Sequence, residues 1–176
     1  QHIDYSQLHT DAGANHAAIN AQRQHSLATP LQPVVSSDGE TLYVAAYGSA
    51  KIGVFSVEDI EDANFENAFD PTAASANYIP TSGGPSGMVL DEDNNRLYVI
   101  TRFENRVEVI DLATNTTVES HALHNPEPPE VVSGRPFLYD AFATSGNGEA
   151  SCASCHIFAD VDQLAWNLGN PDDHVT

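Results

Sequence analysis

Two stretches of this chain carry one pattern at one offset. Thr41-Leu42-Tyr43-Val44-Ala45-Ala46-Tyr47 and Lys51-Ile52-Gly53-Val54-Phe55-Ser56-Val57 are runs rich in β-branched and aromatic residues, divided by Gly48-Ser49-Ala50. Leu97-Tyr98-Val99 restates Leu42-Tyr43-Val44, and Arg106-Val107-Glu108-Val109-Ile110 restates Lys51-Ile52-Gly53-Val54-Phe55. The offset from Leu42 to Leu97, 55 residues, also carries Pro30 onto Pro85 and Pro33 onto Met88. A turn precedes each copy: Ser36-Ser37-Asp38-Gly39 in the first, and Asp93-Asn94-Asn95 in the second. Alternation puts Ile52, Val54 and Ser56 on one face and Gly53, Phe55 and Val57 on the other. A strand unit that returns at a fixed period cannot bury its apolar faces alone and must stack on its neighbour. The expected fold is mainly β, an antiparallel β-meander arranged as propeller-like blades. Two blades cannot close a ring, which takes four or more. A partial propeller with open strand edges and open apolar faces is therefore expected.

The rest of the chain divides around this repeat. Residues 1–29 are polar, with His2, His9, His16 and His25, and are expected to be an irregular lead-in; residues 30–120 hold the two repeats. Within them, the acidic insertion 58–76, with Glu58, Asp59, Glu61, Asp62, Glu66 and Asp70, reads as a solvated loop. Residues 121–134 are a proline-rich linker, expected to be extended, and residues 135–176 form the last segment. Formal net charge is −19 with only six basic residues, a surface that repels nucleic acid and anionic lipid. No apolar run is long enough to span a bilayer.

The last segment contains the chain's only two cysteines, in Cys152-Ala153-Ser154-Cys155-His156. A C-x-x-C-H run is the attachment signature of a c-type haem. Two thiols two residues apart can each form a thioether to one porphyrin edge, and the adjoining histidine then lies beneath the iron. The same pair could instead be a disulfide, a redox dithiol or part of another metal site, although no second cysteine pair completes a zinc set. The reading taken is one covalent haem c, held by Cys152 and Cys155 with His156 as proximal iron ligand. A small, largely helical or irregular haem-binding segment then follows the blades. Its distal ligand is expected among nearby histidines, with His121 and His124 as candidates, whereas Met88, at the start of a strand, is expected to serve packing. Covalent haem c is made outside the cytoplasm, so a periplasmic, extracellular or cell-surface bacterial location and a cleaved secretory signal are expected.

Two resemblances extend this reading. Ser37-Asp38-Gly39…Leu42-Tyr43-Val44 and Asp91-Glu92-Asp93…Arg96-Leu97-Tyr98-Val99…Val109-Ile110-Asp111 resemble YVTN-type β-propeller repeats of bacterial surface and periplasmic proteins. Gly134–Asp140, Ser145–His156 and Asp162–Pro171 look like the start of the N-terminal haem domain of the di-haem cytochrome c peroxidase family, of the methylamine-utilisation type. That resemblance implies electron transfer and, in complete members, reduction of hydrogen peroxide. It also implies a propionate contact for Arg135 and an electron-transfer position beside the haem for Trp166. The chain departs from the family in having one C-x-x-C-H where members carry two haems.

Three functions follow as expectations. The first is electron transfer through one haem c to a redox partner protein, within a multihaem or multimeric assembly. The second is a fragment of a di-haem peroxidase, completed by missing parts of a longer chain. The third is an assembly module, a homo-oligomer or electron-conducting polymer in which copies cover each other's open faces.

Overall fold

The computed structural model describes residues 25–61, 77–143, 150–156 and 160. Its frame is two four-stranded antiparallel sheets, each an up-and-down meander with strands in sequence order. The first contains β1 (Pro30–Val35), β2 (Thr41–Ala46), β3 (Lys51–Ser56) and β4 (Tyr78–Pro80). The second contains β5 (Pro85–Asp91), β6 (Arg96–Thr101), β7 (Arg106–Asp111) and β8 (Thr116–Ala122). This strand order is that of propeller-like blades.

The repeat holds down to its irregularities. In the first sheet the ladder shifts between Pro30 and Gln32; in the second it shifts between Pro85 and Gly87, the same places one period on. Pro33 faces Val44 as Met88 faces Val99, and Tyr43 faces Val54 as Tyr98 faces Val109. Each proline opens its innermost strand, where a missing N–H costs no ladder bond. The tight turns share another device: Gly39, Ala50, Asn95, Asn105 and Asn115 all have positive φ. Asn and Gly adopt that conformation most readily.

The sheets pack through one core. Ala45, Ile52 and Ile79 of the first sheet meet Met88, Leu97, Val99 and Ile110 of the second, with Val34, Tyr43, Val54 and Leu90 at its edges. Met88 is buried there, as its strand position predicts. A side-chain amide joins the two innermost strands: Met88 N–H donates to Gln32 Oε1 (2.6 Å), and Gln32 Nε2 donates to the Met88 carbonyl (3.2 Å). At the other end of these strands, the Ser37 N–H donates to Glu92 Oε1 (2.9 Å).

Several boundaries differ from expectation. Strand β2 ends at Ala46, and Tyr47–Ser49 form a 3-10 turn instead of continuing the strand. Strand β3 ends at Ser56, and Val57–Glu61 begin the acidic insertion as a short helix, α1; residues 62–76 lie outside the described set. The stretch expected as an extended linker is divided between two elements. Its first residues, His121 and Ala122, belong to β8, and the helix α2 occupies Pro129–Tyr139. The prolines promote that helix rather than exclude it: Pro128 is the N-cap and Pro129 the first helical residue, where no N–H is needed. Among the described residues a further short helix, α3, covers Cys152–Cys155.

Candidate functional site

The cysteine motif is a single helical turn. Cys152 is its first residue and Cys155 its last, so positions i and i+3 share one side of the turn. Ser151 and Ser154 hold it closed: the Ser154 N–H donates to the Ser151 carbonyl (3.0 Å), and the Ser151 N–H donates to Ser154 Oγ (3.1 Å). His156 caps the end, with its N–H donating to the Cys152 carbonyl (2.9 Å). Cys152 is exposed, Cys155 half-buried and His156 exposed, and the two thiols are not joined as a disulfide. The serines that shape this turn went unread in the sequence, although Ser-x-x-Ser at its start resembles a capping box.

The motif is attached to the blades through α2, which packs against α3. Helix α2 lies over the turns that correspond in the two sheets. On the second sheet, Arg135 Nη1 donates to the Arg102 carbonyl (2.8 Å), and Arg135 Nη2 pairs with the Glu127 carboxylate. Glu127 also accepts from Asn105 Nδ2 (3.4 Å). The Arg135 hydrogen bond holds the Glu127 carboxyl below its usual range, against the opposing effect of burial. On the first sheet, Tyr139 meets Tyr47 edge-on with ring centroids 5.4 Å apart, and Tyr47 meets Phe103 in the same way at 5.4 Å. The Ala141 N–H donates to the Gly48 carbonyl (2.7 Å). Gly48 eases that approach: a Cβ there would lie a tight 3.1 Å from the Tyr139 carbonyl oxygen and from Ala28 Cβ. Burial raises the Tyr47 phenol above its ordinary pKa, with Tyr139 adding to the effect.

A further tie involves Lys51, the first residue of β3. It is buried, with Nζ 4.1 Å from the ring centre of Tyr78 and 4.8 Å from that of Phe142, just beyond α2. Burial lowers its ammonium to about 8. The strand pattern alone gave no sign of this, because Phe142 arrives from a distant part of the chain.

The candidate ligands fall in different places. The Arg135 side chain is only 11% exposed and both guanidinium ends are engaged. These contacts brace α2 on the turn at 102–105. His121 stands on the outer strand β8 opposite Val107, with Nε2 3.0 Å from the Glu119 carboxylate. His124 is exposed just beyond that strand. Trp166, His2, His9, His16 and the 145–149 and 162–171 parts of the haem-domain resemblance lie outside the described residues. Among the described residues no cluster of three or more His, Cys, Asp or Glu side chains is poised to hold a metal ion, and no helix is long and apolar enough to cross a membrane.

No protein-family model matches the chain. No curated protein matches it. Solved structures similar to part of it include a hydrazine synthase from Kuenenia stuttgartiensis, 17% identical with a TM-score of 0.42 over 53% of this chain and 23% of that one. A periplasmic gluconolactonase from Pseudomonas aeruginosa is 21% identical, with a TM-score of 0.43 over 56% of this chain and 27% of its own. The chain thus spans about a quarter of the length of each.

The donor set of the motif fits a covalent haem. Both thiols lie on one helical turn, neither is deeply buried, and the histidine follows directly on the same turn. Cys152 and Cys155 would each add S–H across one vinyl group, forming a C–S bond while the hydrogen passes to the other vinyl carbon. That reaction needs no oxidant.

Proposed function

We propose that this chain carries one covalently attached c-type haem and transfers electrons through it to a redox partner protein. The observation that carries the reading is the geometry of Cys152, Cys155 and His156 on one serine-capped helical turn. The YVTN-like repeats and the resemblance of the last segment to the di-haem peroxidase family support the same reading and, with covalent haem, a location outside the cytoplasm. When bound, the haem supplies reversible one-electron chemistry at iron. The chain's part is attachment through Cys152 and Cys155, axial ligation by His156, and positioning by α2 on the blade turns. Electron transfer is favoured over peroxide reduction because the sequence holds a single C-x-x-C-H.

The test is intact mass together with visible spectra of oxidised and reduced protein, made in a host with haem c maturation. The expected result is a mass raised by one haem and sharp reduced bands that ignore added peroxide. Cys152→Ala with Cys155→Ala is expected to abolish the covalent mass, and His156→Ala to retain the mass while altering the spectrum. A protein of unmodified mass under these conditions overturns the reading. A high-spin spectrum that responds to peroxide transfers it to peroxidase chemistry.

A further inference from the structure

The outer strand of the second blade ends its sheet as a long edge. Strand β8 runs from Thr116 to Ala122, is exposed along its whole length, and pairs with β7 alone. Such an edge offers a row of backbone donors and acceptors to any strand that fits it. The other outer edge is unlike it. Strand β4 has three residues, with Ile79 fully buried and Tyr78 bonded to the His25 carbonyl.

The ladder shows which groups of β8 face outward. The Leu123 N–H donates to the Asn105 carbonyl (2.8 Å), just beyond the pairs Ala122–Arg106 and Ser120–Glu108. Bonded and non-bonded pairs alternate in an antiparallel ladder. Glu119, His121 and Leu123 therefore turn their N–H and C=O toward β7, and Ser120 and Ala122 turn theirs away. Arg106 Nη2 lies 3.5 Å from the Ser120 carbonyl, whose oxygen has a second lone pair to accept with.

The side chains say what fits. Glu119 and His121 stand two residues apart on one face of the strand, 64% and 63% exposed, with Ser120 between them. An antiparallel pair centred on Ser120 sets Glu119 of each copy opposite His121 of the other, and Val118 opposite Ala122. The neighbouring registers do not: centring on Glu119 sets Glu opposite Glu, and centring on His121 sets His opposite His. The strand is thus its own charge complement in one register, which selects a second β8 as its occupant.

We propose that β8 is a homodimerisation edge, pairing antiparallel about Ser120 with β8 of a second copy of this chain. Ser120 of each copy donates its N–H to the Ser120 carbonyl of the other, and the two second-blade sheets become one eight-stranded sheet. The pairing is independent of the haem reading, because it involves no residue of the cysteine motif. The net charge of −19 opposes association, so the attraction is local to this edge. One strand edge is smaller than a standard interface, and a reversible dimer of about 10 μM or weaker is expected.

Sedimentation of the full chain from about 10 μM to about 1 mM tests this. The expected result is a concentration-dependent doubling of mass with no larger species. Two-fold symmetry makes each substitution act twice. Glu119→Lys alone and His121→Glu alone should each weaken association at least about tenfold. Mixing these two variants should restore it, because each then presents the complement of the other, and the double variant carrying both changes should dimerise as the parent does. Ala122→Pro removes an outward N–H that β7 does not use, and should weaken the dimer with circular dichroism unchanged. A monomer at every concentration overturns the proposal, as does growth beyond the dimer. Association that ignores both single substitutions, or single variants that stay apart when mixed, overturns it equally.

Discussion

The inner halves of the two blades are near copies, and their outer halves are not. Strands β1 to β3 and β5 to β7 share residue types, register and even the position of the ladder shift. The fourth strands diverge. Strand β4 is three residues long with Ile79 fully buried, whereas β8 is seven residues long and exposed throughout. Opposite Ile52 stands Ile79, and opposite the equivalent Val107 stands His121. Blade geometry is thus set by the residues the copies share. The character of each outer strand is set by whether a second sheet lies over it.

The sharpest way to break this comparison is to remove the same side chain from each copy. Leu97 is fully buried against the first blade, while its equivalent Leu42 is only half-buried on the far side of the pair. Leu97→Ala should destabilise by about 3 kcal/mol and Leu42→Ala by about 1 kcal/mol, read from urea unfolding. Equal losses would mean that the two blades do not pack as described. Next in size is the amide link between the innermost strands. Gln32→Ala leaves the Met88 N–H without its partner and should cost about 1–2 kcal/mol, with amide exchange at Met88 as the specific readout.

A third effect separates the helix from the blades by pH. Arg135 depresses the Glu127 pKa, so the tie contributes fully above the ordinary carboxyl value of 4.5 and is lost as pH falls through the lower folded value. Amide exchange in α2 should therefore quicken below about pH 4.5 before the sheets open, and Glu127→Gln should quicken it already at pH 7. The smallest effect concerns the matching turns. Ala50 has φ +50° where the second blade has Asn105 at φ +51°. Ala50→Gly should stabilise by up to about 1 kcal/mol, because glycine adopts this conformation without a Cβ penalty. Asn105→Ala should destabilise, losing both that tolerance and the bond to Glu127.

The repeat was legible because period-two alternation and turn residues recur at one offset, which locates β2, β3, β6 and β7 to within a residue or so. The outer strand β8 was largely hidden. Thr116-Thr117-Val118-Glu119-Ser120-His121-Ala122 has no buried side, so no alternation marks it, and pairing with β7 alone makes it a strand. The start of helix α2 fell in the stretch expected as an extended linker, because Pro128-Pro129 signals both an extended segment and a helix start. The meeting of the two thiols on one turn was legible, since spacing alone brings them together. Its attachment was not: Arg135, Glu127, Arg102 and Asn105 are scattered in sequence, and only the docking of α2 on the turn at 102–105 brings them together.

Helix α2 touches the turn at Gly48 in one sheet and the turn at 102–105 in the other. Two plates held face to face by one core and one amide link can still slide or splay. A strut fixed to the matching turns of both braces the pair against that motion. The angle between the blades and the orientation of the cysteine turn are then one mechanical variable. A partner that pries the blades apart would turn the attachment site with them, and one that holds them together would hold that site still.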